Sequence, residues 1–194
     1  MTRKSTKLVV LLAGVLAAMP ALAWKLVAEG TPFTHKSGYS IQYPAGWRWV
    51  SSGSDGVATR DGVWLQQIFV DFRKHKNAFR ALKQDSTPEM MPQELAEKYV
   101  AEMAKAGSLQ NMEILSNEPT LLAGRPAFRV HVAYRASVDM GSVRYQAVIV
   151  GANSPQGIFL VGYDAAVLHY FQRDLEAFEK ALATFAISDK AVKP

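Results

Sequence analysis

The sequence predicts an α+β fold built on a mostly antiparallel sheet. Three observations carry this. Most of the chain between residues 39 and 164 alternates apolar with polar residues, the period of a half-buried strand. Two stretches instead space apolar residues three and four apart, the period of a helix packed on one side. The helical stretches are separated by runs of strands joined through short turns, an order that fits segregated helices on a sheet and not repeated βαβ units.

The elements follow in order. Residues 24–33 form an irregular lead-in. Tyr39, Ile41 and Tyr43 alternate with Ser40 and Gln42 as a strand. Pro44-Ala45-Gly46 turns the chain and residues 47–50 form a second short strand, so Tyr39, Ile41, Tyr43 and Trp47 anchor a first hairpin in the core. Residues 57–60 and 63–72 flank Asp61-Gly62, a two-residue hairpin signal. Residues 92–106 form a helix: Pro92 suits its first turn and Gly107 the position after its last. Leu95, Tyr99 and Met103, with Ala96 and Val100 beside them, make its apolar stripe. Residues 112–122 are extended, with a break at Asn117-Glu118-Pro119, and Gly124-Arg125-Pro126 turns the chain. Phe128, Val130, Val132 and Tyr134 then alternate with Arg129, His131, Ala133 and Arg135. Residues 143–151 and 157–164 form two more strands, joined by Asn153-Ser154-Pro155-Gln156. Leu168, Phe171, Leu175, Phe178, Leu182 and Phe185 form the seam of a closing helix, with Asp174, Glu176, Glu179 and Lys180 on its other side.

Composition narrows the function. The chain has 194 residues, 49% apolar and 20% charged, which suits one globular domain. It has no cysteine, which excludes disulfides, thiolate metal sites, a cysteine nucleophile and a lipidated N-terminal cysteine. Residues 1–23 have the order of a secretory signal. Arg3, Lys4 and Lys7 precede an apolar run over residues 8–18, Pro20 breaks it, and Ala21-Leu22-Ala23 is a small-x-small cleavage site. The predicted plan is a signal peptide over 1–23, one domain over 24–187 and a short tail over 188–194, in the periplasm or secreted, without a transmembrane span in the mature form. The signal holds three of the cations behind the net charge of +5, so nucleic acid is not an expected partner.

The strands carry a family resemblance. Gly38-Tyr39-Ser40-Ile41-Gln42-Tyr43-Pro44-Ala45-Gly46-Trp47 resembles the opening of PsbP-like domains, and Leu122-Ala123-Gly124-Arg125-Pro126-Ala127 resembles their turn before a long strand. Phe178, Leu182, Thr184 and Phe185 are similar to the end of their closing helix. The superfamily includes lumenal photosystem II proteins, a nuclear GTPase-release factor and bacterial exported proteins. The resemblance implies an α/β/α sandwich around a central antiparallel sheet, and binding or scaffolding more than catalysis. It also implies positive φ at Gly46 and Gly124.

Catalytic signatures are missing. His35, His75, His131 and His169 lie apart from one another, and no nucleophile elbow, phosphate loop or dinucleotide motif occurs. Asp55 and Asp61 have the spacing of turn formers, not of a calcium loop. The sequence calls for no metal and no cofactor. Two cationic groups remain. Arg73, Lys74, Lys76, Arg80 and Lys83 surround Phe79 and Leu82 with no acid between Asp71 and Asp85, a contact for an acidic envelope protein or an anionic membrane surface. Alternatively, Phe79 and Leu82 pack on the core and the cations stay solvated. Arg129, His131, Arg135 and Arg144, with Gln146, share one strand face if residues 128–135 pair with 143–151, which brings Arg135 near Arg144. That face would take a small anionic ligand, or carboxylates from Glu94, Glu97 or Glu102 of the first helix. The expected function is an exported, non-enzymatic binding or scaffold module, and the alternative is a periplasmic anion-binding protein. An exposed apolar patch at Trp47, Trp49 or Trp64 favours the first; a closed polar pocket favours the second. N-terminal sequencing of the periplasmic chain should begin at Trp24, and an intact Met1 in the membrane fraction would refute the signal.

Overall fold

The computed structural model describes residues 24–105, 109–138 and 141–188; the expected signal segment, Gly107 and residues 189–194 of the expected tail lie outside them. The chain runs through β1 (Lys25–Leu26), β2 (Phe33–His35), β3 (Tyr39–Ile41), β4 (Arg48–Ser52), β5 (Asp55–Thr59) and β6 (Gln66–Lys74). Helix α1 (Pro92–Lys105) follows, then β7 (Gln110–Leu122), β8 (Arg125–Val138), β9 (Gly141–Ser154) and β10 (Gly157–Ala166). Helix α2 (Tyr170–Ala183) and β11 (Ala186–Ile187) close it. Eight strands form one antiparallel sheet in the order β1-β4-β5-β6-β10-β9-β8-β7, and β11-β3-β2 form a second, small sheet.

Strand alternation gives the large sheet two apolar faces. Phe159, Val161, Tyr163 and Ala165 of β10 share one face with Ile68, Val70 and Phe72 of β6 and with Val148, Val150 and Ala152 of β9. Phe171, Phe178 and Ala181 of α2 cover this face, joined by Tyr39 and Ile41 of the small sheet. Ile158, Leu160 and Ala166 point the other way, with Phe128, Val130, Val132 and Tyr134 of β8 and Tyr145, Ala147 and Ile149 of β9. Leu95, Ala96 and Tyr99 of α1 cover that face. A central sheet with a helix packed on each side is the arrangement the resemblance implied. At Gly162 the sheet has no room for a side chain, because a Cβ would fall 2.2 Å from Cζ of Phe69 on the neighbouring strand.

Several elements match their sequence signals. The alternation on β8 buries Phe128, Val130, Val132 and Tyr134. Arg135 stands opposite Arg144 in the β8–β9 register, as the pairing predicted. Gly46 and Gly124 adopt φ of 78° and 77°. Beside Gly124, Ala123 also has positive φ (51°), so the pair makes the tight turn between β7 and β8.

Others differ for identifiable reasons. The lead-in contains β1, and β2 begins at its last residue, Phe33. Pro44-Ala45-Gly46 does not close a hairpin: β3 pairs with β2 and β11, β4 pairs with β1 and β5, and the turn carries the chain between the two sheets. Asp61-Gly62 is no two-residue hairpin, since residues 60–65 all lie outside the strands. There the buried Gln66 carboxamide accepts from Thr59 Oγ1 at 2.7 Å and from the Arg60 backbone at 3.1 Å, and holds the loop wide. Strand β7 is continuous through Pro119; its irregularities fall between residues 110 and 116. Helix α2 begins at Tyr170, so Leu168 precedes it. Its buried face is Phe171, Asp174, Phe178 and Ala181, with Phe185 just beyond, while Leu175 and Leu182 are half-buried. Asp174, expected on the outer side, turns inward because Gln66 and Arg173 donate to its Oδ2 at 3.3 and 2.5 Å.

This packing can be tested at two residues. Phe178 is 0% exposed and stacks on Tyr163 with ring centroids 5.6 Å apart. Phe178→Ala should cost about 3–5 kcal/mol and lower the thermal midpoint markedly; an unchanged midpoint would mean α2 is not packed on the sheet. The second residue is Asp164, which accepts from the Tyr134 hydroxyl at 2.7 Å. Burial pushes its carboxyl up to about 6, against smaller opposing effects of hydrogen bonds from Tyr134 and Gln67. An acid with a raised folded pKa favours folding in its protonated form, so this contribution is complete at acidic pH and is lost as pH rises from about 4 through about 6. Asp164→Asn keeps the acceptor for Tyr134 and removes the ionisation. Denaturant titration should find the variant about 2–3 kcal/mol more stable than wild type at pH 7, with the difference vanishing near pH 4.

Candidate interaction surface

The first cationic segment splits in two. Arg73, on β6, points inward, with a side chain only 14% exposed. Its Nε donates to Asp71 at 2.6 Å, and one terminal nitrogen reaches Glu102 of α1 and the Ala78 carbonyl. Its guanidinium also lies over the Tyr99 ring at 5.5 Å. Burial alone would lower its pKa, but Asp71 and Glu102 together raise it, so Arg73 stays charged as a clamp between β6 and α1. Arg73 is therefore not part of the exposed contact, although nothing in the sequence separates it from Lys74.

Lys74, Lys76, Arg80 and Lys83 are exposed. The loop that carries them is well tied down. Ala78 and Phe79 are buried against the α1 side, and Leu82 packs beside them. Phe79 and Gln84 form an isolated bridge. His75 Nε2 donates to the Ser154 carbonyl at 2.9 Å, which leaves Nδ1 to accept from Ser86 at 2.8 Å. Asp85 accepts from the Asn77 backbone at 2.6 Å. The apolar pair thus faces the core, and four cations stand on a fixed frame at one end of the sheet.

The second cationic group is largely engaged inside the molecule. Arg129 makes a two-pronged contact with Glu179 of α2. Its partner is not one of the α1 carboxylates expected from sequence; Glu102 is instead on the opposite face, with Arg73. His131 donates to Gln146 at 3.1 Å and stacks on Phe171 with ring centroids 5.4 Å apart. Arg135 and Arg144 stay exposed and share a hollow of 220 Å³ with Asn111, Glu113 and Tyr134.

Two sites were not visible in the sequence, and a third was visible only at Trp64. Asp61 and Asp174 converge on Arg173, and Arg60 lies 3.5 Å from Asp174, which ties the 60–65 loop to α2. Beside this network, an open polar groove of 560 Å³ runs between α2 and residues 42–47. The third is apolar. Trp47 is buried and Trp49 half-buried, but Trp64 is 72% exposed and Leu168 is 86% exposed. Their loops leave the same end of the sheet: the Ala166 amide donates to the Leu65 carbonyl and the Val167 amide to the Arg144 carbonyl, both at 2.9 Å. The Tyr145 hydroxyl donates to the Trp64 carbonyl at 2.6 Å and fixes this tip from below.

No protein-family model matches the sequence, and no curated protein sequence does. Solved structures do match in shape. A point mutant of the protein Mog1 superposes with a TM-score of 0.56 at 10% identity, over 88% of this chain and 98% of that one. LpqN of Mycobacterium tuberculosis, described as involved in cell envelope biogenesis, gives 0.52 at 16% identity, over 81% of this chain and 90% of that one. A crystal structure from Bacteroides thetaiotaomicron VPI-5482 gives 0.52 at 13% identity; this chain matches it over 84% of its own length and spans about half of that protein, 50%. At these identities the likeness concerns the fold alone, and the fold is an α+β sandwich like those of Mog1 and LpqN.

Proposed function

We propose that the chain is an exported, non-enzymatic binding module of the bacterial envelope, and that Lys74, Lys76, Arg80 and Lys83 are its contact with an acidic protein partner. The observation that carries this reading is the loop itself: four exposed cations on a backbone fixed by buried Phe79 and by the His75 bridge. A fixed array of like charges attracts an acidic surface over roughly 8 Å at physiological salt, and little side-chain support has to be ordered when the partner arrives. The exposed Trp64 favours a surface-binding role over a closed small-ligand site. The anion-binding alternative loses support, because Arg129 and His131 already have partners within the chain. The fold likeness to LpqN fits an envelope setting. In this reading residues 1–23 direct export and are removed after Ala23, residues 24–187 form the working domain, and residues 188–194 are a tail. Among the described residues no helix is long and apolar enough to cross a membrane.

The test replaces Lys74, Lys76, Arg80 and Lys83 with Gln and leaves Arg73 in place. Thermal unfolding should match wild type, since all four side chains are exposed. Binding to a polyglutamate peptide, and recovery of proteins from envelope extract, should fall at low salt, and wild-type binding should weaken as salt rises. Equal recovery by both forms, or unfolding of the variant, would sink the reading.

A further inference from the structure

The end of the sheet opposite the lysine loop has a different chemistry. Two loop tips project there, one carrying Trp64 and the other Leu168, joined through the Leu65–Ala166 hydrogen bond. The tip at Leu168 is held in an unusual conformation: His169 has φ 76° and ψ −40°, close to the strained γ-turn that residues with a side chain rarely adopt. Both side chains stand clear of the protein, on backbone that is tied down on three sides by Tyr145, Arg144 and Leu65.

Cations surround these tips. Arg48 and Arg60 share a hollow of 460 Å³ with Trp24 and Trp64. Arg144 accepts the Val167 amide through its carbonyl and stands opposite Arg135. The nearby carboxylates are mostly committed. Asp61 is bound by Arg173, Asp174 is buried with Arg60 and Arg173, and Asp164 is bound by Tyr134; Glu113 lies beside Arg135 and Arg144. Arg60, though exposed, is paired with Asp174 in turn, so the positive excess at this end comes from Arg48, Arg135 and Arg144 over Glu113.

We propose that this end, led by Trp64 and Leu168 and ringed by Arg48, Arg60 and Arg144, docks on the headgroup region of an anionic lipid bilayer. Protruding apolar side chains on separate tips suit a soft interface that closes around them. Tryptophan favours the boundary between headgroups and acyl chains, and arginines set back from the tips meet the phosphates while their stems lie along apolar surface. The chain also enters the fold here. Trp24, the first described residue, lines the same hollow as Trp64 and adds a second indole to this end. The lysine loop sits at the far end of β6, whose nine residues span roughly 30 Å, so the two surfaces can be tested apart.

The chain has no cysteine, so a single introduced one can be labelled alone. An environment-sensitive fluorophore is placed at Leu168→Cys or at Lys76→Cys in the otherwise intact chain. Each is titrated with vesicles of phosphatidylcholine alone or mixed with phosphatidylglycerol. The expected result is a blue shift at position 168 with the anionic vesicles, little with phosphatidylcholine alone, and none at position 76. Trp64→Ala should weaken vesicle binding about tenfold, and Arg48→Gln with Arg144→Gln should remove most of its salt dependence. The variant with the four lysine-loop cations replaced should bind vesicles like wild type, whether or not that loop has a protein partner. No shift at position 168, a shift at position 76, equal response to both vesicle types, or unchanged binding by Trp64→Ala would each overturn the proposal. A protein that engages Trp64 while the vesicles give no response would overturn it as well.

Discussion

Strand β10 is buried on both faces, and much of the rest follows from that. Its odd-numbered residues feed the core under α2 and its even-numbered residues the core under α1. Each helix has one apolar stripe, so each depends on the strand face it covers. Where a helix covers the sheet, a polar group that points inward needs a partner, and among the described residues few buried side-chain atoms, Asp71 Oδ1 among them, lack one. Gln66, Arg73, Arg129 and Asp174 all point toward covered faces, and each has a named partner. An unpaired charge in such a place costs several kcal/mol, so the pairings accompany the topology. Arg73 has the same origin: on a strand covered by α1, an inward guanidinium needs Asp71 and Glu102 beside it.

This separates what the sequence could disclose from what it could not. Alternation along β8 and the stripe on α1 are local patterns, and they were legible because burial there follows the period of a single element. Asp174 was not legible, because the groups that bring it inside come from Arg60 and Gln66, more than a hundred residues earlier. Gln66 also overrode the turn preference of Asp61-Gly62, since its carboxamide satisfies backbone and hydroxyl groups that a tight hairpin would have arranged differently. The four lysine-loop cations were visible as a group. Which cation belonged to the interior was not, as that depends on where β6 ends.

Trp64 and Leu168 show the same limit most clearly. The buried residues of β6 are Gln66, Ile68, Val70 and Phe72, so Trp64 falls in phase with the core although it is exposed. Leu168 falls in phase with Phe171 and Phe178 for the same reason. Periodicity assigns a face only within an element. One step beyond the last ladder pair or the first helical turn, the in-phase residue is carried away from the core. Apolar residues of this kind are the ones most easily mistaken for interior.

Their exposure is compatible with a well-folded molecule because of what surrounds them. A tryptophan or leucine in water does not unfold a domain whose core is complete elsewhere; its cost is the tendency of apolar patches to find each other. Here Arg48, Arg60 and Arg144 stand around the tips, and two copies approaching through this end would bring like charges together before apolar contact was made. A surface of opposite charge meets no such barrier. The arrangement therefore disfavours self-association and admits an anionic partner, and both effects come from the same arginines.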